Sequence, residues 1–230
     1  RACMPGLVAS QPIYSIGRGS NLLVRDGGVR GTVVLMHNVL TELKMEDGLV
    51  YAEAGVTCAK LAKFCAKEAK QGAEFFAGIP GTIGELHTRD AAAFTASYRH
   101  IEMPVVDEWF VAAWLELSEG DAHESAGKIK ALLAKRLASQ PLNQPSAGST
   151  FRNPPGDFAA RLIEASGLKG YIIGGAQVSE KHANFIVNVG GATALDVEML
   201  IQHMRETVLE KQGVTLQQEV KVIGEFEVRE

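Results

Sequence analysis

Ser149 sits in SAGSTFRNP, residues 146–154, behind Gly148 and ahead of Phe151, Arg152, Asn153 and Pro154. A serine in such company can attack a carbonyl, give up a proton, or merely turn the chain. Attack needs a base within hydrogen-bond reach and a third group to orient that base. The stretch is not the G-x-S-x-G elbow, because Phe151 stands where the closing glycine belongs. Nothing in the spacing of His182 and Asp196 pairs either with Ser149. A second candidate, Glu219, lies in LQQEVKVIG, where strict alternation puts it with Lys221 on the face opposite Val220 and Val222. On pattern alone, then, Glu219 is a solvent-facing carboxylate paired with Lys221 and Ser149 is a turn residue, while the planar charged fork of Arg99 in SYR suits either an anionic ligand or a surface ion pair. His37, His87, His100, His123 and His203 fall at no metal-ligand spacing, so no metal site is expected.

Two glycine-rich stretches hold the other candidate chemistry. GRGSNLL (17–23) offers Gly17 and Gly19 but has Leu22 at the third glycine of the dinucleotide fingerprint, and turn and strand follow it instead of a helix. GIPGTIG (78–84) lacks the Lys-Ser/Thr of a P-loop. Both gather small residues whose backbone N–H groups can form an anion-binding nest, and both can equally be tight turns.

Several elements must position these residues. Strands are expected within 13–37, with Val33, Val34 and Leu35 buried, and again at GLVYAEAG (48–55). A helix is expected over 56–72, with Leu61, Phe64, Cys65 and Ala69 on one face and Gly72 as its stop. The polar run SEGDAHESAG (118–127) marks a boundary, and KIKALLAKRLA (128–138) is a basic amphipathic helix. DFAARLIEASG (157–167) is a helix capped by Asp157 with Phe158, Leu162 and Ile163 inward; YIIGGAQVS and NFIVNVG are strands. A long helix runs from about Thr193 to Lys211 with Leu195, Met199, Leu200, Val208 and Leu209 inward, and VTLQQEVKVIGEF is a closing strand. This order suggests a mixed α+β protein in two parts.

The 230 residues, 46% hydrophobic and 22% charged, are enough for a substantial core. A net charge of −4 gives no footprint for nucleic acid or an anionic membrane, so an anionic ligand must be held by local donors. Cys3, Cys58 and Cys65 suit neither a disulfide framework nor a zinc site, and the last two read as buried thiols. With no signal-peptide pattern and no apolar run long enough to span a bilayer, a cytoplasmic location is expected.

IGRGSNLLVRDGGVRGTVV, AGIPGTIG, SYR, PSAGSTFRNP, LIEASGLKGYIIGGAQVSEKHANFIVN and QQEVKVIG together resemble, in the same order, motifs of the UDP-N-acetylenolpyruvoylglucosamine reductase (MurB) family. The resemblance touches most of the chain, and the short route from VAAWLEL to QPLNQPSAGS is similar to the compact subtype without an extra tyrosine-bearing loop. It implies an α+β fold: an FAD-binding domain of the vanillyl-alcohol-oxidase (PCMH-like) type at 1–118 and a substrate-binding domain at 119–230, whose last strand returns to the active site. It implies a monomer that uses NADPH and FAD to reduce UDP-N-acetylglucosamine enolpyruvate to UDP-N-acetylmuramic acid for peptidoglycan, with hydride delivered from flavin N5.

By motif, Gly17, Gly19, Ser20 and Asn21 would hold the FAD pyrophosphate, and Gly78, Ile79, Pro80, Gly81 and Thr82 would line the flavin. Arg99 would lie near flavin and substrate carboxylate, and Ser149 and Glu219 would be the catalytic pair, Ser149 giving the proton. Arg152, Asn153 and His182 would touch the UDP-sugar. The chain departs from the family at Gly84, which runs into ELHTRD where relatives carry a further glycine and an AxxMNAG-like segment. The strand preceding RACMPG is also missing. Loss of a flavin-lining segment would threaten binding, so further residues are expected at the 84–85 join and after His100. The rival readings are a non-catalytic flavin or nucleotide-sugar binding module and, with less support, a serine hydrolase.

Overall fold

The computed structural model describes residues 12–83, 95–97, 100–102 and 111–227. The chain divides into two compact units, one of Ile13–Arg18 with Thr32–Arg136, the other of Gly19–Gly31 with Leu137 onward.

In the first unit, β1 (Ile13–Ile16) runs parallel to β3 (Thr32–Leu35). Val33 and Leu35, expected to be buried, are 42% and 61% exposed, because this two-stranded pair turns them to its open side. β4 (Leu43–Glu46) and β5 (Leu49–Glu53) form a hairpin through Asp47 and Gly48, both at positive φ as such two-residue turns require. β9 (Ala112–Leu115) pairs with the other edge of β5. The short strands β6 (Lys70–Gln71) and β10 (Ser118–Glu119) pair with each other, as do the backbones of β7 (Thr95–Ser97) and β8 (His100–Glu102).

Against the β4–β5–β9 sheet packs α1 (Cys58–Lys67), started by the Thr57 hydroxyl, which accepts from Lys60 N at 3.2 Å. Leu61, Cys65, Ala62 and Ala66 form its buried face, and both thiols are inaccessible as expected. The helix ends earlier than its apolar pattern suggests. Ala69, expected on the inner face, lies past the cap at φ +54°, and Gly72 comes three residues too late to be the stop. α2 spans Ala122–Ser139, six residues longer at its start than expected, because Asp121 Oδ1 accepts from Glu124 N at 2.7 Å and carries the helix through Gly127.

The second unit is built on an antiparallel sheet of β11 (Ser146–Ser149), β14 (Phe185–Asn188), β13 (Ala176–Val178) and β12 (Ile172–Ile173), in that order. YIIGGAQVS, expected as one strand, is the β12–β13 hairpin. Gly174 takes φ +55° there, and a Cβ on Gly175 would lie 2.3 Å from Ala192 N. α3 (Ala159–Ala165) and α4 (Ala194–Gln212) cover a core of Phe151, Leu162, Ile163, Leu200, Met204, Val208 and Leu216.

α4 is fixed at both ends. The Thr193 hydroxyl accepts from Asp196 N, Asp196 Oδ2 accepts from Thr193 N, and Gly213 closes the helix at φ +69°. Its inward stripe is Ala194, Leu200, Ile201, Met204 and Val208, whereas Leu195, Met199 and Leu209 are about half exposed. The three-and-four spacing from Ala194 selects the first set; the side chains' size suggests the second. Phe158, likewise expected inward, is 65% exposed, because it is the extended N-cap residue of α3 and not part of its apolar face.

Of the long closing strand expected over 214–226, only β15 (Lys221–Ile223) forms, parallel to β2 (Leu22–Val24). Among the described residues, no helix is long and apolar enough to cross a membrane.

Candidate active site

The loop Ile79–Thr82 lies against the start of α1. Cys58 N donates to Gly81 O at 3.0 Å, Ile83 N donates to Val56 O at 2.9 Å, and Thr57 and Thr82 form a bridge. A Cβ on Gly17 would come within 2.6 Å of Thr82 Oγ1, so a glycine there lets the two expected cofactor stretches of this unit touch. A Cβ on Gly78 would meet nothing within 4 Å, and one on Gly81 only the Ile79 side chain at 3.8 Å. Among the described residues, no side chain fills the space beside these two glycines.

In the second unit, Gly19 turns the chain at φ +65°, and Leu22 N closes the turn on Gly19 O. Asn21 follows. Its Nδ2 donates to Glu219 O at 2.9 Å, its carbonyl accepts from Lys221 N at 3.0 Å, and its Oδ1 is buried without a partner. Gly148, at φ +73°, would bring a Cβ 3.0 Å from Ser20 O. The Gly19–Asn21 turn therefore abuts both the Ser149 segment and Glu219.

Ser149 is the half-buried last residue of β11, opposite Phe185, with a bulge between Ser146 and Ser149. Next to it Thr150 O accepts from Glu219 N at 2.8 Å, and Arg152 N donates to Gln217 O at 2.8 Å, with Phe151 opposite Gln218. These bonds correct the alternation argument for Glu219. It precedes β15 and is half-buried while Lys221 is exposed; the crossing of two backbones, not strand parity, sets its environment. Arg152 Nε is buried and has no hydrogen-bond partner among the described residues.

Asn153 Oδ1 accepts from Ala159 N at 3.1 Å, making it the side chain that caps α3. Asp157, expected in that role, instead accepts from Phe158 N at 2.7 Å and pairs with Arg161. His182 packs edge-on to Phe185 at 4.9 Å, and its Nδ1 accepts from Asn184 N at 3.3 Å. Burial holds its imidazole below its ordinary pKa, so it is neutral at pH 7.

Gly19, Ser20, Asn21, Ser149, Glu219 and Arg152 thus meet around one crossing, and His182 joins it through Asn184. Arg99, and the expected break between Gly84 and Glu85, lie outside the described residues. A cavity of about 320 Å³ opens beside Ser146, Gly148 and Thr150, lined also by Leu22, Val24 and Val197, and neither Ser149, Arg152 nor Glu219 lines it. Asn184 carries one signal in the sequence, an amide between Ala183 and Phe185 at the entrance to an apolar strand, and that does not distinguish it from any loop residue. Among the described residues, no cluster of His, Cys, Asp or Glu could hold a metal ion.

The model for the C-terminal domain of UDP-N-acetylenolpyruvoylglucosamine reductase matches residues 140–223, and an FAD-binding domain model matches 8–100. The UDP-N-acetylenolpyruvoylglucosamine reductase of Alkalilimnicola ehrlichii is 48% identical over 247 aligned residues, covering 95% of this chain and 83% of that one. The chain belongs to the UDP-N-acetylenolpyruvoylglucosamine reductase family. The reductase of Methylococcus capsulatus is 50% identical over 95% of this chain and 81% of its own. The crystal structure of the Thermus caldophilus reductase (MurB) aligns with a TM-score of 0.77 at 29% identity, covering 94% of this chain and 86% of that chain. The family membership and the α+β fold, an FAD-binding region followed by a MurB C-terminal domain, are those the motifs imply. The 247 aligned positions exceed the 230 residues present, so the family relative has residues within the aligned span that this chain lacks.

Proposed function

We propose that this chain is an NADPH- and FAD-dependent reductase that converts UDP-N-acetylglucosamine enolpyruvate to UDP-N-acetylmuramic acid, a step of peptidoglycan precursor synthesis, acting as a cytoplasmic monomer. In this reading residues 1–118 serve the cofactor and 119–230 the substrate. The observation that carries it is the crossing at Thr150 and Glu219, where the Glu219 N–H donates to the carbonyl next to Ser149. An enol ether is reduced by adding a hydride at one carbon and a proton at its neighbour. The hydride would come from bound FAD reduced by NADPH.

The chain's own residues do the rest. Gly78 and Gly81 leave room at the backbone where a cofactor is to be held, and Gly17 lets its own stretch close against Thr82 beside them, which fits the FAD-binding assignment of this region. Gly19, Ser20 and Asn21 form the second turn offered to its pyrophosphate. Ser149 donates the proton, which a weakly acidic hydroxyl can do only beside a strongly basic carbanion. Arg99 stabilises charge as it builds on the substrate carboxylate, and Glu219 assists as a protonated, hydrogen-bonding carboxyl. Arg152, with its unpartnered buried Nε, binds the UDP-sugar, assisted by Asn153 and neutral His182.

Purified protein should be yellow, and under anaerobic conditions NADPH should be consumed beyond the one equivalent that reduces the flavin only when the enolpyruvyl sugar is present. A colourless protein that gains no flavin absorbance with added FAD contradicts the reading. A yellow protein that never consumes NADPH with the sugar leaves the non-catalytic binding module standing instead.

A further inference from the structure

We propose that Asn184 is a positioning residue for this reaction: its carboxamide locks the Thr150–Phe151 backbone so that Ser149 and Arg152, on either side, stay in register with Glu219. The proposal rests on the reductase reading above.

Asn184 is 4% exposed and lies 33 residues from the segment it grips. Its Oδ1 accepts from Phe151 N at 3.0 Å, its Nδ2 donates to Phe151 O at 2.8 Å, and its main-chain carbonyl accepts from Thr150 N at 2.8 Å. The partners fix the orientation of the amide, since only an oxygen can face the N–H and only the NH₂ can face the carbonyl. The side chain thus stands in for a strand backbone. It is needed because the β11–β14 ladder is already broken by the bulge before Ser149 and has its last pair at Ser149 and Phe185. Phe151 is 0% exposed, so without Asn184 its N–H and carbonyl would be buried and unbonded.

From the other side, Glu219 N holds Thr150 O, and Gln217 O holds Arg152 N. Two buried residues are therefore gripped along both edges. Ser149 leaves one end of this span, Arg152 the other, and Glu219 lies on the extended segment across it, just before β15. A proton donor and a substrate holder must keep their spacing to well within an ångström for proton transfer to proceed. Asn184 N also bonds His182 Nδ1, so the same residue steadies a further expected substrate contact.

The test uses the flavin-loaded protein, reduced anaerobically by NADPH and then mixed with the enolpyruvyl UDP-sugar. Asn184→Ala should be reduced within about twofold of the unsubstituted rate, and reoxidised by the sugar at least tenfold more slowly. Asn184→Asp places a carboxylate against Phe151 O; once protonated, it again has one donor and one acceptor. Its reoxidation rate should therefore climb back as pH falls, with no matching rise in the unsubstituted protein. Reoxidation of both variants at full rate, or equal slowing of both half-reactions, overturns the proposal. If Asn184→Ala does not fold, a pH-independent loss in Asn184→Asp overturns it as well. An unsubstituted protein that NADPH reduces but the sugar does not reoxidise sinks the reductase reading itself and this proposal with it. Variants slowed in reoxidation alone, with Asn184→Asp recovering as pH falls, beside a working unsubstituted protein support it.

Discussion

The side-chain amide of Asn21 donates to the main-chain carbonyl of Glu219 at 2.9 Å, joining positions 198 residues apart. The bond ties the turn expected to hold a pyrophosphate to the residue expected to stabilise the substrate's carboxylate. Asn21→Ala should therefore lower the stability of the flavin-free protein by about 1 kcal/mol, the usual net worth of such a bond. Urea unfolding of apo-protein reads this. A pyrophosphate contact alone would weaken FAD binding and leave the apo-protein midpoint unchanged.

Asn153 carries two expectations that can be separated. Its Oδ1 caps α3 through Ala159 N, so Asn153→Ala should cost about 1 kcal/mol while Asn153→Asp, which keeps the acceptor, should melt near the unsubstituted temperature. A substrate contact through the amide NH₂ would appear in both variants as a raised KM for the UDP-sugar. Equal loss of thermal stability in the two would contradict the cap.

His182 gives a pH dependence of defined sign. Burial lowers its native pKa below the ordinary 6.5, so the unfolded chain takes up the proton first. Its stability contribution is complete above pH 6.5 and falls as pH drops below that, until the native imidazole itself protonates. His182→Gln should flatten the decline in urea midpoint between pH 7 and pH 5. An unchanged slope would show that His182 is not a source of it.

Part of this molecule can be read in the sequence for local reasons. α4 has its start signal at Thr193 and its left-handed stop at Gly213, and the α1 thiols fall on an apolar stripe at helical spacing. What could not be read depends on distant partners. Glu219 follows no strand parity because its backbone is committed to Thr150, and Asn184 looks like any loop amide until Phe151 arrives 33 residues away along the chain. Ala69 shows the local counterpart: a non-glycine residue takes the left-handed position, so the nearest glycine misplaces the helix end.

The Ser149 assignment is also of this kind, because its chemistry comes from the motif and its setting from the Thr150–Glu219 crossing. The most direct test is a two-step anaerobic stopped-flow measurement on Ser149→Ala. NADPH should reduce its flavin at the unsubstituted rate, and subsequent reoxidation by the enolpyruvyl UDP-sugar should fall by about 10²–10⁴-fold, the usual contribution of positioned proton transfer. Reoxidation at the unsubstituted rate would contradict proton donation by Ser149.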